Sequence, residues 1–171
     1  MKIAVVLGTS KADGNTLYLV NQFVELTQAE VFDLADYKIS YYDYFHENRN
    51  DDFIPLIHML KNYDHIVFAS PVYWYSMSAQ LKVFFDRLSD LLTIEKSLGR
   101  KLQGKEISVL STGHEQELPD CFIEPFELTA EYMQFVFRGF GYLPVNKENN
   151  LSKANAIAQW FSESICHESV D

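Results

Sequence analysis

A chain of 171 residues with 47% hydrophobic content is long enough to enclose a core and suits one domain over residues 1–171. Its 14 Lys and Arg against 24 Asp and Glu leave a formal net charge of -10, which argues against a general binder of nucleic acid or anionic membranes, since phosphate surfaces select basic partners. No apolar run approaches the ~20 residues of a membrane span, the N-terminal run is too brief for a signal peptide, and Cys121 and Cys166 lack CxxC spacing; these features lead us to expect a soluble cytoplasmic protein with reduced thiols.

The first apolar run, "KIAVVLG" (Lys2 to Gly8), is continuous rather than alternating, the pattern of a strand buried on both faces of a parallel sheet. "NTLYLVNQFVEL" follows with helical spacing, placing Leu17, Val20, Phe23, Val24 and Leu26 on one side. "EVFDL" (Glu30 to Leu34) is a shorter strand candidate, succeeded by the acidic, tyrosine-rich "YKISYYDYFHENRNDDF" (Tyr37 to Phe53). The next helix, "DDFIPLIHMLKNY", carries Pro55 near its start, where the first turn tolerates it. "HIVFAS" (His65 to Ser70) is a third strand, and "SAQLKVFFDRLSDLL" is an amphipathic helix with Leu81, Val83, Phe84, Leu88 and Leu91 toward a core. "EISVLST" (Glu106 to Thr112) is a fourth strand. "PDCFIEPFELTAEYMQFVFRGF" supplies a helix that would restart at Pro125. "GYLPV" (Gly141 to Val145) is the fifth strand, demoted by Pro144 to an edge or a strand end, and "LSKANAIAQWFSESIC" is the last helix. Five strands alternating with five helices make a three-layer α/β domain.

Such sheets bind ligands beyond the carboxyl ends of their strands, so the loops after the first, third and fourth strands matter most. The first, "GTSKADGNT", offers Thr9, Ser10, Asn15 and Thr16 as hydrogen-bond donors, Lys11 as a cation and the free amides of a helix N-terminus. It lacks the GxGxxG of dinucleotide folds and the GxxxxGK[ST] of a P-loop, so a static holder of one phosphate fits best, in competition with an ordinary helix-capping turn. Asp13 opposes that role and should point to solvent. The second loop, "SPVYWYSMS", sets Tyr73, Trp74 and Tyr75 in a row behind the stiffening Pro71, a platform for a planar ligand, with Ser76 or Ser78 capping the next helix. The competing reading packs the three rings onto neighbouring helices or another subunit.

"GTSKADGNT" with "SPVYWYSMSAQLKVFFDR" resembles the flavodoxin-like NAD(P)H-dependent FMN reductases, including relatives of the iron–sulfur flavoproteins. The resemblance implies a flavodoxin-like three-layer sandwich with a five-stranded parallel sheet of order 2-1-3-4-5 and FMN at its carboxyl edge, flavodoxin being a standard example of that arrangement. It further implies that Thr9, Lys11, Asn15 and Thr16 hold the phosphate, with Ser10 and the Leu17 amide assisting. Pro71, Val72, Tyr73, Trp74, Tyr75 and Ser76 would line the isoalloxazine, and Ser111, Thr112, Gly113 and His114 would close over its far side. Two features depart from the pattern: His114-Glu115 is no family signature, and the Tyr37–Phe53 segment lacks the cysteines that would ligate an iron–sulfur cluster. Its tyrosines suggest a lid or a subunit contact instead. His46, Asp43, Glu47, Asp51 and Asp52 there show no metal-ligand spacing, so no metal is expected.

The implied activity is an oxidoreductase taking hydride from NADH or NADPH onto FMN and passing electrons to a flavin, a quinone or a similar small acceptor. No acid or base is required for hydride transfer, and His114 is the single catalytic candidate. A homodimer or higher homo-oligomer is implied by resemblance. The competing class is a flavodoxin-type electron carrier whose acidic surface docks a redox partner. Azo-dye reduction and a flavin-free interaction module complete the alternatives.

Overall fold

In the computed structural model, which describes residues 1–145 and 153–167, every side chain of β1 (Ile3–Leu7) is buried. The strand's two faces feed different cores. Ala4 and Val6 point into one cluster, while Ile3, Val5 and Leu7 point into the other. That two-sided burial is why the run is apolar without alternation. β3 (His65–Pro71) behaves likewise, and β4 (Glu106–Gly113) is buried over its central positions.

With β2 (Glu30–Asp33) and β5 (Val136–Pro144), these strands form a parallel sheet in the order β2-β1-β3-β4-β5. α1 (Asn15–Thr27) and α7 (Ala154–His167) cover one face through Leu19, Val20, Phe23, Ala158 and Phe161. α2 (Phe53–Leu60), α3 (Ala79–Arg87) and α6 (Asp120–Met133) cover the other through Phe53, Leu56, Leu81, Phe84, Phe122 and Phe126. The chain therefore has the expected flavodoxin-like α/β sandwich and strand order.

Several boundaries differ from expectation. The helix anticipated through Phe140 ends at Met133, where Gln134 adopts a left-handed φ of 59° and its amide bonds Ala130 and Glu131 carbonyls. Residues from Val136 onward instead pair with β4, so β5 is longer than "GYLPV". Gln134 carries no glycine signal for a helix end, and "FVFRGF" suits a strand as well as a helix. Pro125 does not restart α6. The helix runs through it, giving up only the bond a proline cannot donate. α3 stops at Arg87 and is followed by two short helices, α4 (Asp90–Thr93) and α5 (Lys96–Arg100). On α1, Leu26, placed with the core side in the sequence, is exposed, and Leu19, not assigned a side there, is buried.

What ends α3 also organises the Tyr37–Phe53 segment. The Arg87 guanidinium is fully buried, bonding Asp90 at 2.8 Å, the Asp51 carboxylate at 2.5 Å and the Ser40 carbonyl at 3.0 Å, and it lies 4.9 Å from the centre of the Phe53 ring. His46 Nδ1 meets the other Asp90 oxygen at 2.9 Å. Burial pushes the Asp51 carboxyl up, but Arg87 and the Ser40 and Phe53 amides outweigh it and hold the group below the usual carboxylate range. Asp43 accepts the Phe45 and Glu47 amides. The segment is thus tied down by its acidic residues, while Tyr41, Tyr44 and Phe45 project into solvent.

Candidate functional site

Three crossover loops converge at the carboxyl edge around a cleft of about 150 Å³ lined by residues of all three, among them Thr9, Thr16, Pro71, Tyr73, Thr112 and His114. A larger groove of about 510 Å³ lies at the opposite edge, against Met1, Glu30 and Tyr63. Size does not select the site here: the small cleft is where the loop amides gather.

The first wall is the start of α1. Its N-cap is Gly14, which has no side chain to accept the first-turn amides. Thr16, which could have capped the helix, is buried, and its Oγ1 is 2.7 Å from Thr112 Oγ1. The amides of Asn15, Thr16 and Leu17 have no helical carbonyl to bond, since Tyr18 N–H is the first to bond back, to Gly14 O at 3.1 Å. Thr9 is buried, and its hydroxyl accepts the Lys11 amide at 3.3 Å. Ser10 is exposed and exchanges a hydrogen bond with the Gln80 side chain at 3.2–3.4 Å. Lys11 Nζ stands 3.7 Å from the Asp13 carboxylate, and both side chains are largely exposed. Asp13 points to solvent as anticipated, but draws the lysine with it. Gly8 lets this loop lie against α3: a Cβ there would meet Ser78 Oγ and Leu81 Cβ at 2.8 Å.

The second wall is a two-residue hairpin. Tyr73 and Ser76 exchange both backbone bonds, at 2.9 and 3.0 Å. Trp74 and Tyr75 between them have left-handed φ values of 49° and 64°, as a type I′ turn demands of both central residues. Asn-Gly is the usual occupant, and each bulky residue costs about 1–2 kcal/mol in this region. Ser70 and Ser78 hold the hairpin from beneath: Ser70 Oγ accepts the Ser78 amide at 2.9 Å, and Ser78 Oγ caps α3 by accepting from Leu81 at 3.2 Å. Trp74 is 94% exposed and Tyr75 57%, so these rings are not packed onto the helices.

The third wall is the turn after β4. Ser111 is fully buried and donates to the Ser70 carbonyl at 2.7 Å, so it braces the strand ends from below the cleft. Gly113 passes so close to β5 that a Cβ would sit 2.7 Å from Tyr142 Oη. Tyr142 Oη donates to Glu115 O at 2.8 Å and fixes the turn, its pKa raised by burial and then by the Glu115 charge. His114 Nδ1 donates to Val145 O at 2.8 Å. Sequence reasoning passed over both Tyr142 and Arg87. Among the described residues, no group of three His, Cys, Asp or Glu is gathered to hold a metal ion.

An uncapped helix N-terminus beside an aromatic hairpin offers anion-binding amides and a planar surface at one sheet edge. Residues 1–118 match the family model for NADPH-dependent FMN reductases. The chain belongs to that family. Its relatives include YwqN of Bacillus subtilis, provisionally named an NAD(P)H-dependent FMN-containing oxidoreductase, 29% identical over 152 residues covering 82% of this chain and 83% of YwqN. A Bacillus subtilis structure described as Trp repressor binding protein is 25% identical, with a TM-score of 0.70 over 91% of this chain and 96% of that one. General stress protein 14 of Treponema denticola, solved with FMN, shares the fold at 16% identity, with a TM-score of 0.68 over 97% and 99% of the two chains.

An FMN reductase uses FMN as cofactor and NAD(P)H as reductant, and the residues present fit FMN. The unmet amides at Asn15 to Leu17 suit a phosphate, which a side-chain cap would have displaced. The hairpin leaves the amides of Trp74 and Tyr75 outside its two bonds, beside exposed rings. Among the described residues, no helix is long and apolar enough to cross a membrane.

Proposed function

We propose that this reductase binds FMN with its phosphate on the α1 N-terminus and its ring on the Tyr73–Ser76 hairpin, and passes electrons from NAD(P)H to a small planar acceptor such as a flavin or a quinone. The observation that carries the reading is the uncapped α1 start: Gly14 at the N-cap, Thr16 turned to Thr112, and three first-turn amides without helical partners. Thr9, Asn15 and Lys11 line the cleft beside those amides, and Ser10, bonded to Gln80, adjoins them in the loop. Pro71, Val72, Tyr73, Thr112 and Gly113 line the same cleft, the first three from the β3 side and the last two from the neighbouring β4 end.

When bound, FMN supplies the chemistry by accepting hydride and releasing electrons. The protein's part is orientation and electrostatics. The rigid hairpin presents Trp74 and Tyr75 amides to a ring edge, and the first-turn dipoles compensate the phosphate charge. No side chain near the cleft needs to act as an acid for hydride transfer. Trp74, almost wholly exposed, stands where an incoming planar molecule would pass.

We read residues 1–171 as one domain that works in the cytoplasm as a homodimer or higher homo-oligomer. The acidic charge and two free thiols suit the cytoplasm, and exposed Tyr41, Tyr44, Phe45 and Trp74 suit a subunit contact. Stopped-flow absorbance tests the central claim: FMN-loaded protein is mixed anaerobically with NADH, then with NADPH. Rapid bleaching of the flavin band is expected. Retention of FMN with no bleaching by either nucleotide would favour an electron carrier.

A further inference from the structure

We propose that His114 is the titrating cation of the phosphate site, taking up a proton when FMN binds. The inference rests on the FMN reading above and concerns a residue outside the family's phosphate loop.

Its ground is a charge deficit. The cradle's lysine, Lys11, lies 3.7 Å from Asp13 and is mostly in solvent, in a chain of net charge -10. Neutral amides carry the rest of the work. A phosphate dianion would therefore be incompletely compensated, and the site has room for a second cation.

His114 is placed to supply it. It lines the same cleft as Thr9, Asn15 and Thr16, whereas Trp74, Tyr75 and Ser76 do not. Thr112, two residues earlier, is bonded to Thr16 in the first turn of α1, so the turn carrying His114 is tied to the phosphate end. Nδ1 donates to the Val145 carbonyl, and a carbonyl can only accept. The proton on Nδ1 is therefore fixed, and Nε2 is the nitrogen left to a ligand. Neutral, that nitrogen is an acceptor and faces a phosphate oxygen lone pair to lone pair. Protonated, it donates a charge-assisted bond. A dianion on the cleft thus selects the imidazolium, with the proton drawn from solvent. Lys11 lines the same cleft with Asp13 beside it, and Glu115 adjoins His114 in the chain. The neutral Tyr142 hydroxyl faces the turn from β5 and is engaged with Glu115 O.

The sign follows from linkage. A proton bound more tightly in the complex makes affinity higher at low pH and lower as pH rises. If the complex holds that proton about tenfold more tightly, FMN should bind about fivefold better at pH 6.5 than at pH 8.5.

Isothermal titration of FMN into the apoprotein at pH 7.5, in two buffers of different ionisation enthalpy, counts protons taken up per FMN. Wild type should take up a substantial fraction of one proton, and His114→Gln none. The fivefold pH dependence of Kd should disappear in the variant. Riboflavin, which lacks the phosphate, should bind without proton uptake. Equal uptake by wild type and variant would overturn the proposal, as would equal uptake with riboflavin, which would put His114 against the ring or ribityl chain. Failure of wild type to bind FMN at all would instead overturn the cofactor placement beneath it.

Discussion

Thr16 Oγ1 and Thr112 Oγ1 lie 2.7 Å apart in the buried layer beneath the cleft, although 96 positions separate them in the chain. The bond ties the first turn of α1 to the end of β4, so the loop after β1 and the turn after β4 are held as one unit. It also keeps the Thr16 hydroxyl from the first-turn amides of α1, whose N-cap, Gly14, has no side chain to offer them.

Replacing Thr112 by Val keeps the volume but leaves the Thr16 hydroxyl buried without this partner. Destabilisation of about 1–3 kcal/mol is expected from urea unfolding. FMN should bind more weakly as well, measured by quenching of flavin fluorescence. The double variant Thr16→Val, Thr112→Val should recover part of the stability.

Arg87→Met strands two carboxylates, Asp51 and Asp90, that are almost wholly buried. Breaking one side of a buried pair costs about 3–5 kcal/mol, and denaturant titration should report a loss of that order. Protease cleavage between Tyr41 and Arg49 should quicken, since Arg87 holds the Ser40 carbonyl and Asp51 at the ends of that stretch. Adding Asp51→Asn and Asp90→Asn should restore much of the loss. Asp51 itself is depressed, so its contribution is complete above the ordinary carboxylate pKa of ~3.9 and fades as pH falls through its lower folded value.

Tyr75→Gly tests the hairpin. Glycine accepts a φ of 64° without steric cost, but its unfolded chain has more freedom to lose. The first effect is the larger at a left-handed position, so a gain of up to about 1 kcal/mol is expected in thermal or urea unfolding. Unchanged or lower stability would mean that contacts of the Tyr75 side chain outweigh the backbone strain.

His65 is buried at the amino end of β3, bonded to Ser108 at 2.9 Å and to Glu106 at 3.3 Å. Burial lowers its pKa, against the opposing pull of Glu106. The unfolded chain then binds more protons than the folded one below the ordinary value of ~6.5. Stability should be full above that pH and fall as pH drops from there through the lower folded value. His65→Asn should flatten this slope in pH-dependent thermal melts.

The sequence by itself determined the layered architecture and the places where chemistry sits. Runs such as "IAVVL" are unbroken because both faces of the sheet are covered, and that requirement is local and readable. The glycine- and hydroxyl-rich turn after β1 and the aromatic row after β3 were readable for the same reason: a loop's composition reports its exposure and donors. Only the tertiary structure decided which groups meet. Nothing in "VFFDRLSD" distinguishes a buried Arg87 from a surface arginine on a helix. Its burial depends on Asp51 arriving from another crossover. The Thr16–Thr112 bond and the His114–Val145 bond likewise join strand and helix ends that adjoin only once the sheet is assembled. The left-handed turns at Trp74, Tyr75 and Gln134 were hidden because their residues carry no glycine signal. At those positions surrounding packing and paired backbone bonds override local preference, and that information lies in contacts between distant parts of the chain rather than in any one stretch of it.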